Sequence, residues 1–239
     1  MSLIRLYFPN KIQSDLTSHL PKEQTHYIKD VMRLKIGDKL SIFNTFGEWS
    51  AVIESYEKSG VRIKVTEKVR DKDNEKNIWL AFSPIKQNSL NFLIQKGTEL
   101  GVQKFIPVLT ERSIVKEINI KRVKKIIVEA SEQSNRISVP EINNSQTLKI
   151  FLSQFPKNGY LIFCDINCEK NNLKNILSKK NEEPICVLIG PEGDFSERER
   201  KLIVDLKHTH SISLAKNILR AETAALSAIT IVNYHLNLS

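Results

Sequence analysis

Residues Leu188–Ser196 read LIGPEGDFS and carry the strongest local signal in the chain. The apolar run Ile185–Ile189 predicts a buried strand, and the Ser-Glu-Arg-Glu sequence from Ser196 predicts a capping box that begins a helix. A strand that passes through a Gly-Pro-Glu-Gly loop into a helix is typical of α/β sheets, in which ligands bind at the carboxyl ends of the strands. A tight turn that only joins the two elements is the alternative interpretation.

Elements of the same two kinds alternate on both sides of this loop. The predicted strands are Ile78–Ser83, Lys104–Leu109, Tyr160–Cys164, Ile185–Ile189 and His210–Leu214. The predicted helices are Leu90–Leu100, Lys121–Asn135, Leu173–Lys179, a helix from Ser196, and Ala221–Leu236. This alternation predicts a mostly parallel sheet covered by helices.

The first 72 residues show a different pattern. Short segments rich in β-branched and aromatic residues predict one short helix, His26–Met32, and the strands Ile4–Phe8, Lys39–Asn44, Trp49–Ser55 and Gly60–Val69. The wholly polar stretch Arg70–Asn77 predicts a linker. We therefore expect a small β-barrel domain over residues 1–72 and an α/β domain over residues 73–239.

The composition indicates a globular protein with a basic surface. The 239 residues carry a net charge of +9, of which +4 lies in residues 1–72, so the excess is spread along the chain. This charge favours nucleic acids as partners, although a merely solvated lysine-rich surface has the same composition. The three cysteines indicate a reducing compartment, and no apolar run is long enough to span a bilayer. With no signal-peptide pattern at the start, we expect a cytoplasmic protein without membrane contact.

A second candidate site lies in SLAKNILRAETAAL, residues Ser213–Leu226. A predicted strand ends at Leu214, and Arg220 falls at the start of the following helix, where a cation opposes the helix dipole. An anion bound beside Arg220 would explain this placement, and an ion pair between Arg220 and Glu192 would explain it equally well.

A third candidate is EASEQSNRISVP, residues Glu129–Pro140. The spacing predicts that Glu129, Gln133 and Arg136 share one face of a helix. Residues Arg112–Arg136 contain seven basic and three acidic residues. The segment is therefore either a solvated helix face or a track for phosphates.

Metal sites and nucleotide-binding loops have no support in the sequence. It contains no Gly-x-Gly sequence and no P-loop. His208 and His210 lack cysteine partners, and Cys164 and Cys168 lack a second pair, so we expect no metal site.

Taken together, these motifs show that the chain resembles the RsmE family of small-subunit rRNA uridine-N3 methyltransferases, which belong to the SPOUT superfamily. The resemblance extends over nearly the whole chain and rests on five ordered segments: VMRLKIGDKL (Val31–Leu40) with the Phe46-Gly47-Glu48 turn, IQKGTELGVQKFIPVLTERS (Ile94–Ser113), EASEQSNR (Glu129–Arg136), LIGPEGDFS, and ILRAETAAL (Ile218–Leu226). Three positions depart from the usual pattern: Ala215 and Asp194 stand where glycine is common, and Tyr27 stands where a second histidine is common. A positive φ at Ala215 would strain its backbone.

The resemblance implies an α/β fold, with a SPOUT-type, deeply trefoil-knotted methyltransferase domain preceded by a small PUA-like β-barrel that binds RNA. It implies S-adenosylmethionine as the cofactor and a homodimer in which the partner chain completes each site. The implied target is one uridine of 16S rRNA in the small ribosomal subunit. A catalytically inactive ribosome- or RNA-binding factor of the same fold is one alternative, and an enzyme that methylates a ribose 2′-hydroxyl is another.

The resemblance also implies roles for individual residues. Arg220 would balance negative charge on a uracil oxygen, and Glu192 or Glu222 would remove the N3 proton. The residues expected to hold the cofactor are Phe163, Cys164, Ile189, Gly190, Pro191, Glu192, Gly193, Leu214, Ala215, Ile218, Leu219, Arg220 and Thr223. The residues expected to contact the RNA are Arg5, Arg33, Lys86, Arg112, Glu132, Gln133 and Arg136, with Lys29 and Lys35 as further basic groups.

Overall fold

A computed structural model describes residues 4–72, 75–168 and 183–237 of the chain. Contacts divide these residues into two units. The first contains the described residues up to 72 together with Ser131–Val139, and the second contains Glu75–Ala130 and the described residues from Pro140 onward. The first unit therefore includes a short segment from the middle of the chain, which carries most of the EASEQSNR sequence.

The first unit is built on a five-stranded sheet in the order β1-β3-β4-β5-β2. Its strands are β1 (Arg5–Tyr7), β2 (Thr17–His19), β3 (Lys39–Asn44), β4 (Gly47–Glu57) and β5 (Gly60–Asp71). β1 pairs with β3 in parallel, and the other pairs are antiparallel. The β4–β5 register shifts at three points, and such irregularities increase the local twist, so the long strands curve around the core.

Alternating side chains and one helical segment form the core of this unit. Helix α1 (Lys22–His26) continues into a π-helical turn over Tyr27–Val31, which buries Ile28 completely. The helix predicted at His26–Met32 is thus placed too late. The principal core residues are Leu6, Leu20, Ile28, Leu40, Ile42, Ile53 and Ile63.

In this unit one predicted boundary is wrong, and one strand was not predicted. Arg70 and Asp71 belong to β5, so the segment outside regular structure begins later than the predicted linker at Arg70–Asn77. The strand β2 was not predicted, because Thr17, Ser18 and His19 show no apolar alternation. β2 exists because it pairs with Arg62–Lys64 of β5.

The second unit contains a parallel sheet in the order β12-β10-β11-β6-β7-β8, with β9 also paired to β7. Its strands are β6 (Ile78–Phe82), β7 (Val102–Leu109), β8 (Glu141–Ile142), β9 (Gln146–Thr147), β10 (Tyr160–Cys164), β11 (Ile185–Ile189) and β12 (Thr209–Ile212). Every residue of β11 is buried, as expected for a central strand covered on both faces. The predicted α/β fold is confirmed, whereas the trefoil knot stays a prediction.

The helices of this unit are α2 (Gln87–Glu99), α3 (Ile120–Gln133), α4 (Leu148–Gln154), α5 (Glu197–Val204) and α6 (Ala221–Asn237). α2 and α6 pack against each other. The short elements β8, β9 and α4 were not predicted. The helix predicted at Leu173–Lys179 lies outside the described residues. In the part of the chain that the structure describes, no helix has the length and apolar character needed to cross a membrane.

The sheet order decides where a site can form. β10 lies between β11 and β12 and is parallel to both, so the loops that follow these three strands leave the same edge of the sheet. Two hydrogen bonds extend this arrangement beyond the strands: Ser83 N donates to Ile189 O at 3.1 Å, and Asp165 N donates to Ile212 O at 2.9 Å.

Candidate active site

The loop that follows β11 is shaped by close packing at Gly190. A Cβ atom at this position would lie 2.6 Å from the Phe195 ring, so only glycine fits. Phe195 is buried and packs edge-on against Phe163 of β10, with ring centroids 5.3 Å apart. Gly193 differs, because an added Cβ would meet Arg112 only at an ordinary contact distance of 3.6 Å. One glycine of the motif is thus required by packing, and the other is not.

The two positions that depart from the usual glycines behave differently. Asp194 has a φ of +59°, in the left-handed region where glycine is favoured, and its side chain accepts a hydrogen bond from Phe195 N at 2.8 Å. Ala215 is not among the described residues with positive φ. The expected backbone strain is therefore found at Asp194 and not at Ala215.

A pocket lies beside this loop in the second unit. Its wall combines apolar side chains with three charged groups, Lys86, Arg112 and Glu192, and its full lining is Pro84, Ile85, Lys86, Arg112, Ile114, Val115, Pro191 and Glu192. Arg112 Nη1 donates to Gly193 O at 2.8 Å, which connects the loop after β7 to the loop after β11. The pocket therefore presents both signs of charge next to an apolar surface.

Three buried hydroxyl groups lie close in sequence to residues that line this pocket. Ser113 Oγ lies 2.7 Å from Ser83 Oγ and 2.8 Å from Thr110 Oγ1, and it accepts a hydrogen bond from Thr110 N at 2.8 Å. All three side chains are buried. They connect the carboxyl ends of β6 and β7, from which Lys86 and Arg112 follow. No sequence motif indicated this cluster.

The loop after β12 leads into α6 and brings Arg220 to its start. Arg220 is exposed, and its carbonyl oxygen accepts a hydrogen bond from Ala224 N at 2.8 Å. The residues of the described ranges show no ion pair between Arg220 and Glu192, so the structure does not contain the predicted alternative. Glu222 instead accepts a hydrogen bond from Ser89 Oγ of α2 at 3.1 Å.

Of the cofactor positions predicted on the strands, Phe163 and Ile189 lie in the core, whereas Cys164 is partly exposed. Phe163 and Ile189 are almost completely buried, so neither side chain is available to a ligand. Burial raises the pKa of the Cys164 thiol, with a smaller contribution from the charge of Asp165, and burial also raises the pKa of the Cys186 thiol. Both thiols therefore stay protonated at neutral pH. In contrast, Ile218 in the loop after β12 is 85% exposed.

The predicted RNA contacts fall into two groups. Arg33, Lys86, Arg112 and Gln133 are exposed. Arg136 is buried, the Arg5 side chain is only 10% exposed, and Tyr7 N donates to Glu132 Oε1 at 2.9 Å, so these three side chains are engaged within the first unit. The predicted helix face shared by Glu129, Gln133 and Arg136 is wrong. α3 ends at Gln133, because Asn135 takes a left-handed φ of +61° and turns the chain away before Arg136.

Two family models match this chain. The model for an RNA methyltransferase domain matches residues 72–233, and the model for an RNA methyltransferase PUA domain matches residues 20–66. The first of these covers more than half of the chain, and its range includes the loops after β10, β11 and β12.

Individual relatives agree over almost the full length. Ribosomal RNA small subunit methyltransferase E from Rickettsia conorii is 34% identical over 96% of this chain and 94% of its own length. The protein of that name from Bacillus subtilis is 29% identical over 95% of this chain and 94% of its own. The crystal structure of ribosomal RNA small subunit methyltransferase E from Neisseria gonorrhoeae, bound to S-adenosylmethionine, has a TM-score of 0.88 at 28% identity and covers 97% of both chains. This chain therefore belongs to the ribosomal RNA small subunit methyltransferase E family and is an RNA methyltransferase.

Proposed function

We propose that this chain transfers a methyl group from S-adenosylmethionine to N3 of one uridine in 16S rRNA. The observation that carries the proposal is the pocket in which Lys86, Arg112 and Glu192 meet beside the Gly190–Asp194 loop. Charges of both signs beside an apolar surface supply hydrogen-bond donors and acceptors for the edge of a flat base. The names of the relatives support a target in the small ribosomal subunit.

The loops at the carboxyl ends of β10, β11 and β12 have features that suit binding of the cofactor. The exposed Ile218 provides an uncovered apolar surface for an adenine or ribose, and backbone groups of the loop residues beyond Phe163 and Ile189 supply hydrogen bonds. We assign the holding of S-adenosylmethionine to the loops after β10, β11 and β12. The bound cofactor supplies an electrophilic methyl group whose leaving group is a neutral thioether. The Neisseria gonorrhoeae relative was determined with this molecule bound, which supports the assignment.

The side chains of the site supply the remaining chemistry. N3 of uracil carries a proton and becomes a good nucleophile only when that proton leaves, so the site needs a base and a cation for the resulting charge. Glu192 is exposed in the pocket and takes the base role, whereas Glu222 is already bound to Ser89. Arg220 is exposed at the start of α6 and takes the role of stabilising charge on a uracil oxygen.

We also propose that the active form is a cytoplasmic homodimer that acts on the small ribosomal subunit. Phe92 of α2 and Tyr234 of α6 are 47% and 62% exposed, and these two helices pack together. Exposed aromatic side chains on adjoining helices favour burial against a second copy. The mass of the protein in solution, measured by light scattering, tests this part of the proposal, and a monomer at active concentrations would refute it.

Methyl transfer from labelled S-adenosylmethionine tests the reaction itself. The substrates are small subunits from a strain that lacks this enzyme and, in parallel, naked 16S rRNA, and the labelled nucleoside is identified after digestion. We expect 3-methyluridine, formed on subunits in preference to naked rRNA. Label on a ribose 2′-hydroxyl would refute the assignment to N3. The absence of both label and cofactor binding would identify an inactive RNA-binding factor.

A further inference from the structure

We propose that Glu199 and Arg200, consecutive residues in the first turn of α5, are positioning residues for two different sides of the active site. Glu199 holds the loop that carries Arg112, and Arg200 holds the turn over Asp165–Cys168 that directly follows β10. The inference rests on the proposed function, because it assigns the first loop to RNA and the second to the cofactor. The two residues lie in the helix that begins shortly after the Gly190–Asp194 loop, so one helix turn connects three loops.

Glu199 uses both carboxylate oxygens. Oε2 accepts from Ser196 N at 3.1 Å, and Ser196 Oγ accepts from Glu199 N at 3.2 Å, which is the predicted capping box. Oε1 accepts from Glu111 N at 2.9 Å, across a separation of 88 residues. A glutamate that only caps a helix has no need of the second contact, and at this site the side chain is buried although most glutamates are exposed.

The contact at Glu111 fixes the backbone next to a residue that lines the pocket. Glu111 is followed by Arg112, which lines the pocket and whose guanidinium donates to Gly193 O at 2.8 Å. The backbone of this loop is therefore fixed by Glu199 one residue before the side chain that faces the substrate. Holding a substrate-binding group in its productive place contributes to rate as well as to affinity.

Arg200 makes the corresponding contact on the other side. Its Nη2 lies 2.5 Å from Asp165 Oδ2, and Asp165 is the first residue after β10. The Asp165 side chain is 3% exposed, its other oxygen accepts from Asn167 N at 2.9 Å, and its own N–H is bound to Ile212 O. The ion pair thus fixes the turn that follows β10 at the point where it adjoins β12.

Paired substitutions separate these two roles. Glu199→Gln retains the capping box, because glutamine also occurs at this position of the motif. When its side-chain carbonyl oxygen accepts from Ser196 N, its NH₂ group faces Glu111 N, and the hydrogen bond to Glu111 is lost. We expect the KM for small subunits to rise about tenfold, as for the loss of one hydrogen bond to a charged group, with the affinity for S-adenosylmethionine unchanged within about twofold. The controls are Glu197→Gln, an exposed residue of the same turn, and Ser196→Ala, which weakens the cap and leaves both Glu199 oxygens in place.

Arg200→Gln should give the opposite pattern. We expect the Kd for S-adenosylmethionine, measured by calorimetry, to rise about tenfold while binding of small subunits changes little. The control is Lys201→Gln, which removes the same charge from an exposed position on the same helix. Equal effects of Arg200→Gln and Lys201→Gln on cofactor affinity would overturn the role of Arg200.

The rates of amide hydrogen exchange report on the stability of these loops independently of enzymatic activity. Faster exchange of the Glu111 amide in Glu199→Gln, and of the Asp165 and Asn167 amides in Arg200→Gln, is the expected result. Unchanged exchange of Glu111 in a folded Glu199→Gln protein, or the same kinetic loss in Ser196→Ala, would overturn the role of Glu199. If the wild-type chain methylated no RNA, the proposed function would fail, whereas the exchange of the Glu111 amide would still decide whether Glu199 holds this loop.

Discussion

Arg5 and Glu48 form a buried bidentate ion pair, with Arg5 Nε 2.9 Å from Glu48 Oε1 and Arg5 Nη2 3.2 Å from Glu48 Oε2. The same guanidinium donates to the carbonyl oxygens of Glu132 and Arg136, at 3.0 and 2.8 Å. Arg70 adds a second cation 3.2 Å from Glu48. All of these groups belong to the first unit. Arg5 therefore anchors the end of the EASEQSNR segment. This internal role explains the low exposure of the Arg5 side chain better than a contact with RNA phosphates does.

The first prediction concerns the strength of this anchor. Glu48→Gln leaves a buried guanidinium without its full charge partner, and such losses cost about 3–5 kcal/mol of unfolding free energy. Urea denaturation measures the change. Glu54→Gln is the matched control, because Glu54 lies on the same strand and pairs with Arg62 in an ion pair that is 34–45% exposed, for which about 1 kcal/mol or less is expected. Equal losses in the two variants would contradict the structural role of Arg5.

A second prediction follows from the ionisation of Glu48. Burial raises the pKa of this carboxyl, but hydrogen bonds from Arg5 and Ser41 and the charges of Arg5 and Arg70 outweigh burial, so its pKa lies below the ordinary value of 4.5. A group with a lowered pKa in the folded state stabilises the protein fully above its unfolded pKa, and this stability is lost as the pH falls through the folded pKa. We expect the unfolding free energy of the wild type to fall below about pH 4.5, with a shallower fall in Glu48→Gln. Identical pH profiles of the two proteins would refute the assignment.

The third prediction compares the two glycines of the loop after β11. Gly190→Ala forces a Cβ against the buried Phe195 ring, and overpacking of this kind costs about 1–3 kcal/mol. Gly193→Ala meets only ordinary contacts, so a change within about 0.5 kcal/mol is expected. Thermal unfolding measures both changes. Because Phe195 packs on Phe163, we also expect weaker S-adenosylmethionine binding in Gly190→Ala alone, and a reversed order of the two variants would contradict this packing argument.

Arg220 is the subject of the fourth prediction. Its side chain is exposed at the start of α6, and its proposed role is to stabilise charge that develops on the uracil during transfer. Arg220→Ala should therefore lower kcat about 100-fold or more, with the affinity for S-adenosylmethionine unchanged within a few-fold. Single-turnover methyl transfer and calorimetry measure the two quantities. A large loss of cofactor affinity with normal turnover at saturation would assign Arg220 to the cofactor instead.

The fifth prediction concerns RNA affinity through the first unit. Arg33 is exposed in the segment between α1 and β3, with Lys35 exposed nearby. If Arg33 neutralises one rRNA phosphate, Arg33→Ala should reduce the slope of log K against log salt by about 0.7–0.9. Lys58→Ala, in the exposed β4–β5 turn, serves as the control with the same loss of charge. Equal slopes for Arg33→Ala and the wild type would remove Arg33 from the interface.

Local patterns in the sequence predicted much of the second unit. The apolar runs located β6, β7, β10 and β11, and the Ser196–Glu199 spacing predicted the capping box that the structure contains. These features depend on residues that are close together in the sequence, so they can be predicted from the sequence alone. Elements with weak local patterns were missed: β8 and β9 each have only two residues and form by pairing with β7.

At the candidate site, too, some residues were predicted from local sequence patterns and others were missed. Glu192 and Arg112 were chosen as functional residues, and the structure brings them to one pocket. Arg5 and Arg136 looked like exposed phosphate contacts, because a basic side chain has no sequence signal for burial. Glu199 was identified only as a capping residue, since nothing in its neighbourhood indicates a hydrogen bond to Glu111. The buried hydroxyls of Ser83, Thr110 and Ser113 had no signal at all.

The fold class and the family follow from the amino-acid sequence alone, because strand and helix periodicity and ordered motifs are properties of the linear chain. The sequence also predicted a site at the loop over Gly190–Asp194. Which charged side chains are exposed to a ligand, and which are internal anchors, became known from the three-dimensional structure. The physical reason is that burial and long-range hydrogen bonds, such as those between Arg5 and Glu48 or Glu199 and Glu111, depend on which distant segments the sheet brings together.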